Sequence, residues 1–241
     1  MQDKRLEFKF GEAGCMIMVA PMSLGGYQFK DLSWGVFVNN ADETVQQLVE
    51  RNVLMPMSLY QDDGYIVRLV LDDLSEREAE DWVARVRWKL NISCGKLLVT
   101  GVLDYEDDIP EAKDGDDFYI GCCYVEVPSG DYQVEVYSYP PYDLSTGWGQ
   151  IENPELFKGR LKSEYLPDYF RRTRPNEEPP EWLDDENFDL ENAYVNFVIK
   201  LTLLQEELPK LEFEGSGFIE WEFRKPEKFP LGIPSLAFKP E

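Results

Sequence analysis

The groups in this chain with the numbers to do chemistry are carboxylates: 47 Asp and Glu stand against 24 Lys and Arg, and there is no histidine. Without an imidazole, Ser-His-Asp and Cys-His nucleophile systems, His-ligated zinc and the usual general base near neutral pH are all excluded. Any reaction would have to run on carboxylates, Lys, Tyr or Cys.

The carboxylates are gathered into two runs. Residues 104–117 hold eight of them against Lys113 alone, a net −7, and residues 177–191 hold eight with no basic residue, a net −8. Together they account for 15 of the 23 net negative charges, and residues 158–174 between them carry a net +4. Three chemistries suit such runs. Carboxylate oxygens bind hard cations such as calcium, but an EF-hand needs ligands at alternate positions, then Gly, then a closing Glu. The first run lacks that order, so a solvated loop is expected there and no metal ligand is assigned. A pair of acids facing each other across a cleft could hydrolyse a glycoside, and Tyr142, Trp148 and Trp182 are the aromatics to line one. Nothing in the spacing selects which two acids, so a carboxylate-based hydrolase with a cleft in residues 139–182 stands as the alternative reading and calcium binding as a further one.

The third chemistry is attraction. A net charge of −23 with a pI near 4.3 disfavours direct nucleic-acid binding and docking on an anionic membrane, since both need positive potential. It favours steering toward a basic protein surface. The expected function is therefore a soluble, non-catalytic acidic binding protein, of the kind that inhibitors and immunity proteins exemplify. The residues expected to meet the partner are Asp104, Glu106, Asp107, Asp108, Asp114, Asp116 and Asp117 from the first run, and Asp184, Asp185 and Glu186 from the second. Trp88 joins them as an aromatic anchor, a residue type enriched at binding hot spots.

Four cysteines (Cys15, Cys94, Cys122, Cys123) form no CxxC pair. With no histidine to lower their pKa, Cys94 and Cys122 are read as small buried apolar residues. Neither GxGxxG nor GxxxxGK[ST] occurs, so no cofactor is expected. No stretch reaches the roughly 20 apolar residues of a membrane span, and residues 1–14 lack the apolar region of a signal peptide, so a cytoplasmic protein with reduced thiols is expected.

The elements that must position these groups read as α+β: mainly antiparallel sheet, one amphipathic helix packed on it, and irregular Pro-rich segments. Leu6, Phe8 and Phe10 alternate with Glu7 and Lys9 as a strand, with residues 15–20 as its neighbour across a Gly-bounded turn. Residues 42–50 suit a short helix, and Tyr65, Val67, Leu69 and Leu71 form one face of another strand. The main helix is expected over about residues 75–90. Ser75 and Glu78 fit a capping box, Leu74 and Ala79 a hydrophobic staple, and Ala79, Trp82, Val83, Val86 and Leu90 one apolar stripe. Trp88 would lie opposite that stripe, hence its candidacy as an anchor.

Residues 119–139 read as a β-hairpin about Ser129-Gly130, with Val125 opposite Val134 and Cys123 opposite Val136. Residues 156–165 suit a short helix closed by Pro167. Val195, Phe197, Ile199, Leu201 and Leu203 share the face of a strand, and Ile219, Trp221 and Phe223 that of a last one. The tail should lie extended over the surface. Residues 1–241 are expected to be a single domain, with 140–180 the region where it could divide.

Overall fold

The computed structural model describes residues 5–11, 16–27, 43–59, 64–71, 73–101, 109–116, 120–139, 166–180, 183, 193–205 and 218–238. Its strands are β1 (Arg5–Gly11), β2 (Met16–Pro21), β3 (Met55–Ser58), β4 (Gly64–Val70), β5 (Ala84–Ile92), β6 (Lys96–Thr100), β7 (Cys122–Glu126), β8 (Gly130–Ser138), β9 (Tyr194–Val195), β10 (Phe197–Leu203), β11 (Glu222–Phe223) and β12 (Ile233–Pro234). Helices α1 (Glu43–Glu50), α2 (Glu76–Asp81) and α3 (Leu166–Thr173) complete the described elements. A six-stranded sheet runs β1-β4-β10-β8-β5-β11, a four-stranded sheet β3-β2-β6-β7, and β12 pairs with β9. Among the described strands every pairing is antiparallel except β4 with β10, so the α+β, mainly antiparallel reading holds.

Period-two alternation explains how the large sheet is layered. Leu6, Leu69, Ile199, Val136 and Val86 lie in register as one row, and Phe8, Val67 and Phe197 form the next. These residues share one apolar core with Ile17, Val19, Met55 and Val99 of the four-stranded sheet. Leu6 is only partly buried; each of the others, fully buried, contributes about 1.5–3 kcal/mol. The opposite face of the large sheet is apolar only in part. Ile66, Val70, Tyr137 and Val198 there form a second core with Trp82, Ile233 and Phe238, contributed by the chain beyond α2 and by the C-terminal strap.

The long helix is a correction. The capping box forms as expected, with the Ser75 hydroxyl accepting from Glu78 N–H and the Glu78 carboxylate from Ser75 N–H, but the helix it starts ends at Asp81. Residues 84–92 are strand β5, with Ala84, Val86, Trp88, Leu90 and Ile92 buried, and Arg85, Arg87, Lys89 and Asn91 at the alternate positions. Val86 and Leu90 satisfy both periods, which is why a helical stripe could be drawn through them. Ala79 is exposed, so the staple is not made. The Arg224 guanidinium closes the short helix instead: it donates to the carbonyls of Trp82, Ala79 and Glu80 at 2.8, 3.1 and 2.5 Å and lies 3.7 Å from the centre of the Trp82 rings.

The 119–139 hairpin is a second correction. Both strands exist, and Cys123, Val125, Val127, Tyr132, Val134 and Val136 are all buried. Yet β7 pairs with β6 in the small sheet and β8 with β5 and β10 in the large one, so residues 127–129 carry the chain across the sandwich. Residues β1 and β2 part in the same way, β1 to β4 and β2 to β3 and β6. Alternation tells which face of a strand is apolar; it does not tell whether its successor lies beside or above it.

Two segments close the sides of the sandwich, covering edges that would otherwise present unpaired N–H and C=O groups. On one side, Ala112 N–H donates to Tyr124 O and Tyr124 N–H to Pro110 O on the β7 edge, while Gly115 N–H donates to Glu7 O and Ile120 N–H to Lys9 O on the β1 edge. On the other, Ile219 N–H donates to Pro56 O beside β3, and β11 pairs with β5.

The helix expected over 156–165 falls outside the described residues. Helix α3 starts where that one was expected to end. Pro167 is its second residue, a position where the missing N–H is no loss, so this proline opens a helix. Its Tyr169 and Phe170 pack with Val83 and Phe229 in a third small core.

Candidate functional site

The acidic segment that closes the β1/β7 side is where the sequence-derived residues come closest to a shared site. Asp114 Oδ1 accepts the Glu7 main-chain N–H at 2.8 Å, and Asp116 bridges to Phe8 in parallel. Glu111 and Asp114 are exposed and Asp116 half-buried. The end of the first acidic run is thus fastened to both sheets. Asp104, Glu106, Asp107, Asp108 and Asp117 lie outside the described residues, as do Asp184, Asp185 and Glu186 of the second run.

Trp88 is not on this surface. Its side chain is in the core, 4% exposed, with the indole N–H donating to Val49 O at 3.2 Å. A tryptophan so enclosed cannot anchor a partner, which corrects the expectation drawn from a helical period.

Behind the acidic segment lies a network the sequence reading missed. The Glu7 and Glu78 carboxylates flank Arg68, with Arg68 Nε donating to Glu7 Oε1 at 2.7 Å and Nη1 to Glu78 Oε1 at 2.6 Å. Arg5 Nη1 adds bonds of 2.7 and 2.9 Å to the two Glu78 oxygens. All three of Glu7, Arg68 and Glu78 are buried. Burial alone would raise the Glu78 carboxyl, but donation by Arg5, the Ser75 amide and Arg68 outweighs it and holds the group down at about 2. The signal was present in the strand alternation: Glu7 and Arg68 stand in register on the face of β1 and β4 turned away from the main core.

The same network holds the C-terminal strap. Glu7 Oε2 accepts Ser235 Oγ–H at 2.6 Å and the N–H groups of Leu236 and Ala237 at 3.0 and 3.2 Å, and Arg68 Nη2 donates to Pro234 O at 2.9 Å. Asp81 accepts Leu231 N–H at 2.8 Å; burial raises its pKa, with the Leu231 amide and Arg77 opposing. Tyr139 is fully enclosed, donates to Glu78 O at 2.6 Å, and is raised well above its usual range by burial.

A cavity of about 800 Å³ opens at one end of the sandwich, bounded by Leu71, Leu201, Val127, Tyr132, Lys96 and Cys94. Cys94 is exposed, a correction to its reading as a buried apolar residue; Cys122 is buried as expected, and Cys123 is buried beside it. Burial opposes ionisation of Cys94, but hydrogen bonding with the main chain at Lys96 and Ser23 lowers its pKa; burial raises those of Cys122 and Cys123. Among the described residues no group of three Asp, Glu or Cys could hold a metal ion, and no helix is long and apolar enough to cross a membrane. The aromatics of the hydrolase reading, Tyr142, Trp148 and Trp182, lie outside the described residues.

No family model and no curated protein matches the chain. Two solved structures are similar in fold. "Crocagin biosynthetic gene J" is 13% identical, with 84% of this chain and 99% of that one covered at a TM-score of 0.41. ComJ from Bacillus subtilis, titled an inhibitor of the DNA-degrading activity of NucA, is 7% identical, with 85% of this chain and 100% of that one covered at a TM-score of 0.40. At these scores neither likeness bears on what this chain binds.

Proposed function

We propose that this chain is a non-catalytic binding protein that engages a basic protein surface through its acidic runs, acting as an inhibitor or immunity-type protein. The observation that supports it is the fastening of the described part of the first run. Residues 109–116 are tied by main-chain hydrogen bonds to the edges of both sheets, so their carboxylates are held on a rigid support. Held charges lose less freedom on binding than charges on a loose loop, and a single-signed patch raises the rate of encounter with a basic partner. Asp104, Glu106, Asp107, Asp108, Asp114, Asp116 and Asp117 carry the contact in this reading, with Asp184, Asp185 and Glu186 adding to the field.

The test is capture from the native host at low and high salt, with the wild-type chain beside a variant carrying Asp104→Asn, Glu106→Gln, Asp107→Asn and Asp108→Asn. A specific basic protein held at low salt by the wild type, released as salt rises, and missed by the variant is the expected result. Capture that ignores both salt and the four substitutions would remove the proposal.

A further inference from the structure

We infer that the acidic segment 111–116 and the C-terminal strap 233–238 form one cooperative unit clasped on Glu7, so that whatever grips the first also steadies the second. The two are separated by more than a hundred residues of chain, and each has holds of its own, on β7 for the first and on Arg68 and β9 for the second, yet both also bond to one residue of an edge strand. Glu7 uses its main chain for the acidic segment, donating to Asp114 Oδ1 at 2.8 Å and accepting from Gly115 N–H at 2.9 Å. It uses its side chain for the strap, accepting from Ser235 Oγ, Leu236 N–H and Ala237 N–H. Arg68 fixes that carboxylate from behind, at 2.7 Å to Oε1.

The segments are also near each other: a methyl group on Gly115 would stand 3.7 Å from the Ala237 Cβ, ordinary van der Waals contact. The strap in turn folds around the Ser235 hydroxyl, which accepts Phe238 N–H at 2.9 Å, and Lys9, two residues beyond Glu7, has its ammonium 5.0 Å from the centre of the Phe238 ring. Loosening either segment therefore releases one of the two holds on Glu7, to which the other is also bonded. Contiguous sets of hydrogen bonds that share an anchor open together, and coupling between two such segments is reciprocal. If the acidic segment is the partner site, which rests on the proposal above, the strap sets how firmly that site is held.

Amide hydrogen exchange on the full chain tests the clasp with no partner present. Asp114→Ala removes one bond, on the acidic side only, and Ser235→Ala removes two on the strap side, the hydroxyl's bond to Glu7 Oε2 and the one it accepts from Phe238 N–H. Asp114→Ala is expected to speed exchange at residues 235–238 by roughly five- to tenfold, the effect of one lost hydrogen bond, and Ser235→Ala, which loses two, to speed it at residues 111–116 by at least as much. Amides of β6 and β8 should be unchanged. Faster exchange confined to the substituted segment overturns the clasp, and so does an equal rise throughout the β6 and β8 amides, which would mark global loosening. Partner capture can fail while the two segments still loosen together, and the converse also holds, so the two proposals fail separately.

Discussion

Arg68 Nη1 meets Glu78 Oε1 at 2.6 Å, joining the middle of a β-strand to the capping box of the short helix that follows it. One carboxylate thereby serves as helix cap, as partner to Arg5 and as partner to Arg68. Its pKa, held at about 2 against an ordinary value of 4.5, makes it a source of acid sensitivity. A carboxyl lowered on folding contributes stability that is complete above its unfolded value and is lost as pH falls through its folded one. Stability should therefore decline between about pH 4.5 and 2. In urea unfolding, Glu78→Gln should be clearly destabilised at about pH 6 and should converge on the wild type as pH nears 2. A deficit of constant size across that range would contradict the assignment.

Replacing Arg68 should be among the most damaging single changes. Arg68→Ala leaves Glu7 and Glu78 buried without their shared cation, and breaking a buried pair from one side costs about 3–5 kcal/mol. It also takes the donor from Pro234 O. Arg68→Lys keeps the charge but not the fork that reaches both carboxylates, so it should fall between the two. The denaturation midpoints of the three proteins check the order.

How far these groups were legible in the sequence depends on which physical signal fixed each. Face alternation is local: Phe8 was visible as core because Glu7 and Lys9 flank it, and Val67, Ile199 and Val136 because Arg68, Lys200 and Glu135 stand on one side of each. Sheet membership is not local. The run Cys123 to Val136 reads identically as a hairpin and as two walls of a sandwich, and only contacts with residues far along the chain distinguish them. Period was ambiguous where Val86 and Leu90 fit both 3.6 and 2, and the genuine capping box at Ser75 tilted the reading toward too long a helix. The acidic run was visible as charge, but its fastening depends on Asp114 meeting a main-chain N–H 107 positions away. Composition cannot encode that distance.

Trp88 separates the two readings of its neighbourhood. As part of the β5 face it fills core space and donates to Val49 O, so Trp88→Ala should cost about 3–5 kcal/mol, the usual range for a large buried aromatic. Trp88→Phe, which fills most of the volume but drops the indole N–H, should cost less. Neither should alter partner capture at temperatures where the variant remains folded. A loss of capture by a fully folded Trp88→Phe protein would restore the residue as a contact.

The cysteines give a test of burial that needs no partner. Cys94 is exposed with its thiol pKa lowered, whereas Cys122 and Cys123 are buried with theirs raised. Thiolate fraction and access both govern alkylation, and here they point the same way. In the native protein near neutral pH, iodoacetamide followed by peptide mapping should label Cys94 within the time that leaves Cys122 and Cys123 unmodified. In denaturant all three should react at similar rates. Because Cys122 and Cys123 are neighbours on one strand, they point to opposite faces of the small sheet. Protection of both therefore reports that both faces are covered. Native labelling of Cys122 alone would mean that the face of β7 on which it lies is open.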